Sequence, residues 1–206
     1  MSSATAGTDR RSRLIETAIR LFSERPYEEV SVEDIAADAG VATGLLYYHF
    51  TDKQGLYAAG LELLAQQLKE HIDAAGGGDA PPLQRLMAGL DARLAFVEEH
   101  PTGYRELLAG AASQPKVAAI IERERHERLQ LMVEGLFPDA APSPLVLATL
   151  EGWLHFVDGV QLSWLHSGRL DRAQVSELCG RVLFATALAA VELDQQTQAE
   201  AERAAS

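Results

Sequence analysis

Apolar side chains recur along almost the whole chain at the three- and four-residue spacings of a helix. No stretch alternates with the period of two that a half-buried strand requires. The pattern predicts an all-α protein. A first helix over about residues 9–24 places Leu14, Ala18, Leu21 and Phe22 on one stripe, and Pro26 stops it. Residues 1–8 are small and polar and are expected to be disordered. Ser31-Val32-Glu33-Asp34 is a near capping box, and it opens a short helix carrying Val32, Ile35, Ala36 and Ala39, with Gly40 as its stop. A third short helix covers about 42–50. Asp52 then caps a fourth, reaching about residue 74 with Leu56, Leu63, Leu64 and Leu68 on its stripe.

The Gly- and Pro-rich segment 75–82 ends that helix and reads as a connector. It follows no strand and lacks the Lys-Ser/Thr ending of a phosphate-binding loop. Further helices are expected at about 82–99, 101–110, 115–135, 143–166 and 171–193, with Pro101, Pro115 and Pro144 at their starts. The polar tail from Gln195 is expected to fray.

Composition narrows the class. The 206 residues carry 18 basic and 30 acidic side chains, a formal charge of -12. The 47% hydrophobic content excludes bulk disorder. Charges interrupt the apolar stretches, so no membrane span is expected, and the N-terminus lacks the apolar core of a secretory signal. A lone Cys179 makes no internal disulfide, which suits a reducing cytoplasm. Taken alone, the acidity argues against a nucleic-acid partner. Its distribution weakens that objection. Residues 1–60 hold 6 basic against 9 acidic side chains, whereas residues 61–206 hold 12 against 21.

The two short helices around Gly40 form a helix-turn-helix. Over Arg13 to about Leu56 the chain resembles the tetracycline-repressor (TetR) family of bacterial transcription regulators. The resemblance rests on Ile15, Ala18 and Leu21-Phe22, then Tyr27, Ser31-Val32, Ile35-Ala36 and Ala39-Gly40-Val41. Gly44, Leu46-Tyr47, His49-Phe50 and Lys53 complete it. Two positions depart from the family's usual pattern: Pro26 stands for a Gly, and Ala42 for a Ser at the start of the third helix.

The resemblance implies a DNA-binding domain at 9–55, with its connecting helix to about 74. A helical ligand-binding and dimerisation domain follows at 82–194. It further implies a homodimer that binds a palindromic double-stranded operator and responds to a small-molecule inducer, most simply as a repressor. The alternative is a family member that has lost DNA binding and acts through a protein partner, because the third helix contains no Lys or Arg.

Leu46 and Phe50, four apart, should pack inward, which turns Tyr48 outward as the main base-edge candidate. Tyr47 should be half packed with its hydroxyl at a phosphate. His49 can donate to a phosphate, and Gly44 allows close backbone approach. Thr43 either caps the helix or reads a base. Ser31, Arg10, Arg11 and Lys53 complete the DNA-binding set: Lys53 is expected at a phosphate, while Arg10 and Arg11 lie along the backbone, enter a minor groove or form a solvated end.

In the larger domain Met87, Leu90, Phe96, Tyr104, Leu108, Trp153, Phe156 and Trp164 line a pocket or form plain core, and a hydrophobic or aromatic inducer follows from the first reading. Glu151, His155 and Asp158 share one helix face and can form a polar stripe, hold a ligand's polar group, pair across a dimer or bind a metal. His155 is counted with the ligand site. Glu122-Arg-Glu-Arg-His-Glu-Arg128 reads as a solvated face. No G-x-S-x-G or H-E-x-x-H pattern occurs, so no catalytic residue, metal or cofactor is expected.

Overall fold

The computed structural model describes residues 3–76, 78–102, 104–105, 115–139 and 141–205. Among them every regular element is helical. The order is α1 (Ser3–Glu24), a 3-10 turn (Tyr27–Glu29), α2 (Val32–Asp38), α3 (Thr43–His49) and α4 (Lys53–Gly76). Then come α5 (Pro82–Glu99), α6 (Pro115–Leu136), α7 (Pro144–Ser167) and α8 (Arg172–Ala205). The chain forms two compact units, one of residues 1–71 and 99–123, the other of residues 72–98 and 124–206.

The first unit is built on the stripe of α1. Leu14, Ile15, Ala18, Leu21 and Phe22 pack with Val32, Ile35 and Ala36 of α2, Leu46 of α3, and Leu56, Tyr57 and Leu61 of α4. Val117, Ile120 and Ile121 of α6 join the same core. Pro26 leads into the 3-10 turn, which brings Tyr27 against Phe22 and Tyr57 with ring centroids 5.5 and 4.8 Å away. On α4 the buried line runs through Leu56, Tyr57, Gly60, Leu61 and Ala65, and the expected Leu63, Leu64 and Leu68 are only half-buried beside it.

The α2–α3 turn follows the sequence closely. The Ser31 hydroxyl accepts from the Asp34 N–H at 3.0 Å, and the Asp34 carboxylate accepts from the Ser31 N–H at 3.0 Å. Both halves of the capping box are therefore made. At the other end Gly40 has φ +66°, its N–H donates to Ala37, and the Val41 N–H donates to Ala36 at 3.0 Å. This is a Schellman stop, which places the chain in the left-handed region where only glycine is unstrained.

In the second unit α7 and α8 pack on each other. Ser143 caps α7 with Pro144 behind it, and Gly168, at φ +59°, ends it. Trp153 and Trp164 are buried, with indole N–H groups donating to the Cys179 and Leu170 carbonyls at 2.8 and 2.9 Å.

Three expectations are corrected. α1 begins at Ser3 rather than near residue 9, and α8 continues to Ala205 instead of fraying after Leu193. Neither segment contains a proline, and helix propagation costs little once a packed turn has nucleated it. The expectation of no span-like segment fails at α8, which is long and apolar enough to cross a membrane by length and composition. The helix expected at 101–110 falls mostly outside the described residues.

The Gly40 turn makes a stability prediction. A Cβ there meets nothing within 4 Å, so the cost of Gly40→Ala is backbone strain alone. Urea unfolding should show a loss of about 1–2 kcal/mol, and a smaller loss for Gly40→Asn, which tolerates the left-handed region.

Candidate nucleic-acid interface and ligand cavity

On α3 one face is fixed and the other is free. Leu46 is fully buried and Phe50 nearly so, which sets the rotation of this two-turn helix. Tyr48 is then 81% exposed and Tyr47 53% exposed. Tyr47 is thus more open than its expected half-packed state. The Tyr48 ring meets His49 edge-on at 5.1 Å, so the two side chains share one aromatic surface. Gly44 is exposed, and a Cβ there would meet nothing within 4 Å. Ala42 holds the cap position with no side-chain hydrogen bond. Thr43 therefore does not cap α3 and stays half-buried at its first turn. The Ser31 hydroxyl is committed as an acceptor to the capping box.

The cations separate. Arg10 and Arg11 are exposed on α1, and the Arg11 guanidinium lies 5.2 Å from the Phe50 ring centroid, beside the end of α3. Lys53 instead turns back into its own unit. Its ammonium donates to the Tyr27 carbonyl oxygen and sits 4.0 Å from the Tyr27 ring centroid. Burial lowers its pKa from the usual lysine value, opposed by the charge of Glu28. Of its three N–H donors the carbonyl takes one.

In the second unit α5, α6, α7 and the end of α4 enclose a cavity of about 270 Å³. Leu90 and Trp153 line it as expected, together with Leu86, Leu131, Met132 and Val157. Phe96, Phe156, Trp164 and His155 are not on its walls, and Tyr104 belongs to the first unit. Leu108 lies outside the described residues. Met87 packs toward α8, with its methyl 2.7 Å from where a Gly180 Cβ would stand.

Beneath the cavity lies a charged group that periodicity concealed. Asp158 accepts from Arg93 and Arg125 at 3.0 Å each, and Arg128 stands 3.6 Å away. The Asp158 and Arg93 side chains are each only 9% exposed. Burial alone would raise the Asp158 pKa, but the charges of Arg93, Arg128 and Arg125 outweigh it and hold the carboxyl below its usual range. Arg125 and Arg128 were expected on a solvated face, and both point inward instead. Glu151 and His155 are exposed, so the expected stripe divides, and its third member belongs to the buried cluster. The overlooked signal was Arg93, which falls among Leu90, Leu94 and Val97 on the buried side of α5. Cys179 is fully buried, which pushes its thiol up to about 11 and leaves no reactive thiolate near neutral pH.

These features coincide with what the chain resembles. The family model of bacterial regulatory proteins of the tetR family matches residues 14–60, and a tetracyclin repressor-like C-terminal domain matches residues 82–186. The chain belongs to the TetR family. The HTH-type transcriptional repressor KstR2 of Mycobacterium tuberculosis is 32% identical over 58% of this chain and 61% of its own length. The HTH-type transcriptional activator FasR of Mycolicibacterium smegmatis is also 32% identical, over 55% of this chain and 52% of its own length. The chain thus spans somewhat more than half the length of these curated relatives. A TetR-family regulator from Streptomyces coelicolor superposes with a TM-score of 0.82 at 26% identity, covering 95% of this chain and 88% of that one.

The Asp158 cluster sets a pH-dependent prediction. A depressed carboxyl pKa stabilises the fold above the unfolded value of about 4, and the contribution is lost as pH falls through the folded value. Asp158→Asn should cost about 3–5 kcal/mol at pH 7, because three guanidinium groups lose their buried counter-charge. In chemical denaturation at stepped pH the gap between wild type and variant should begin to narrow below about pH 4 and vanish only once the pH has passed the depressed folded value.

Proposed function

We propose that this protein is a ligand-responsive transcriptional repressor that binds a palindromic operator as a homodimer in the cytoplasm. The observation that carries it is α3, a short helix locked by Leu46 that presents Tyr48 and Tyr47 to solvent, with half-buried His49 beside them, behind a capped turn. Tyrosine hydroxyls and ring faces can contact base edges and thymine methyls, and the exposed Arg11, beside Phe50 at the end of α3, and the exposed Arg10 supply phosphate-binding charge. Lys53 joins them if its remaining donors reach a phosphate.

Dimerisation is supported by the surface of α7 and α8. Leu162, Leu178, Phe184, Leu188, Val191 and Leu193 are all more than a third exposed, with Leu188 at 61%. Several large apolar side chains left open on neighbouring helices suit a surface that a partner covers. Glu177, Arg181, Glu192 and Asp194 interrupt α8, which favours a partner helix over a lipid environment. A palindromic operator would offer its two half-sites in successive major grooves about 34–36 Å apart, one for the α3 of each copy.

The inducer site is the cavity of the second unit. α6 supplies Val117, Ile120 and Ile121 to the first core, and its later residues Arg128, Leu131 and Met132 line the cavity. A ligand that favours one placement of α6 would bias DNA binding, and DNA would oppose that ligand equally. Of the two related proteins one is named a repressor and the other an activator, so the same architecture serves both signs of regulation.

Gel-shift titration against DNA flanking the protein's own gene tests this reading. Tyr48→Ala should cost about 1–3 kcal/mol on operator and little on random DNA. Arg10→Ala should weaken both alike and reduce the salt slope by about one. A folded wild-type dimer that gives no shift at low salt favours the protein-partner alternative. Leu188→Glu should yield a monomer by light scattering and lose operator binding with it.

A further inference from the structure

The walls of the cavity are apolar, through Leu86, Leu90, Met132 and Trp153 above all, yet its charged lining is uneven. Arg85, Arg93 and Arg128 face it, against Asp73 as the carboxylate. Two of these arginines are engaged with Asp158, Arg93 at 3.0 Å and Arg128 at 3.6 Å. Arg85 is placed differently. It lies near the start of α5 with its side chain exposed, so it stands at the mouth of the cavity. Its terminal nitrogen reaches across to α6, 3.7 Å from where a Gly135 Cβ would be. Among the described residues it makes no ion pair, and neither does Asp73.

Two physical requirements meet here. A cavity of about 270 Å³ with hydrocarbon walls favours a compact apolar body. A guanidinium at its mouth offers a fork of donors that a planar oxyanion satisfies, and an ammonium or hydroxyl cannot use it as well. Behind it Arg93 and Arg128, with Arg125, outnumber the one Asp158 carboxylate that pairs with them, and Asp73 is the carboxylate on the cavity wall itself.

We propose that the ligand of this cavity is an amphipathic organic anion. Its apolar body lies among Leu86, Leu90, Met132 and Trp153, and its carboxylate or equivalent oxyanion pairs with Arg85. The proposal rests on the reading of this cavity as the inducer site and narrows the ligand from any hydrophobic molecule to one bearing a negative charge. Arg93 and Arg128 remain with Asp158 and contribute potential, not a direct bond.

The test is isothermal calorimetry on the full-length protein with matched probes. Decanoate and 2-naphthoate are the anions, decan-1-ol and 2-naphthol their neutral counterparts, and decyltrimethylammonium the cation. At least one carboxylate should bind about tenfold more tightly than its matched alcohol, the ratio one charge-assisted hydrogen bond supplies. Arg85→Gln should remove that ratio while leaving the alcohol's affinity unchanged, and Arg85→Lys should keep part of it. Because Arg85 is exposed, both variants should unfold at the wild-type temperature. Equal affinity for anion and alcohol overturns the proposal and leaves the inducer site standing. So does preferential binding of the ammonium, which would assign the mouth to Asp73. Anion preference that survives Arg85→Gln also overturns it. If no probe of any charge binds the folded protein, the inducer-site reading falls with it.

Discussion

A carboxylate removed from water has to be matched by positive charge or protonated, and the second unit is arranged around one that is matched. Asp158 projects from α7 and is held by Arg93 of α5 and by Arg125 and Arg128 of α6. Three helices thus meet at one charge. Removing water from that many ions is costly, and well-packed apolar side chains in their place would be as stable or more so. What the cluster supplies instead is position. It fixes where α5 and α6 stand against α7, and the space left above it is the cavity. A hydrophobic contact can slide by a fraction of a turn with small loss, whereas an ion pair out of register leaves a buried charge uncompensated.

The first unit solves a different problem, the orientation of a helix too short to orient itself. α3 spans seven residues and has little intrinsic stability. Its rotation comes from Leu46 and Phe50 on the inside. Its position comes from the turn before it, closed by the Ser31–Asp34 capping box and the left-handed Gly40. Given those constraints, Tyr48 has nowhere to go but outward. The side chains that meet DNA on this reading are therefore placed by residues that never touch it.

This division explains what the sequence disclosed. The capping box, the Gly40 stop, Pro82, Pro115 and the Ser143-Pro144 start are local chemistry, so the helices they bound are read correctly to within a residue or two. Tyr48 was legible because its exposure follows from the helical phase of Leu46. The cavity was legible only in part. Leu90 and Trp153 line it, but Phe96, Phe156 and Trp164 are equally apolar and do not, since hydrophobicity predicts burial and not which buried face borders a space. Arg128 misleads for a related reason. A long charged side chain on a polar-looking stretch reads as solvated, but its destination depends on a partner distant in the chain, here Asp158.

The acidic balance of the chain also acquires a physical meaning. On the proposed reading, with Lys53 bonded to the Tyr27 carbonyl and no Lys or Arg within α3, each copy would meet DNA with few cations, Arg10 and Arg11 foremost. The non-specific part of DNA affinity scales with the phosphates neutralised, so a single copy gains little from random sequence. A second copy joined through α7 and α8, as proposed, would double the charge and the reading face together. The second contact is then made at a high effective concentration rather than from solution. A protein built this way would hold DNA firmly only where both halves fit. On the same reading, sensitivity to ligand would follow from this scarcity, because a small change in spacing would remove one of two weak contacts and the other could not hold alone.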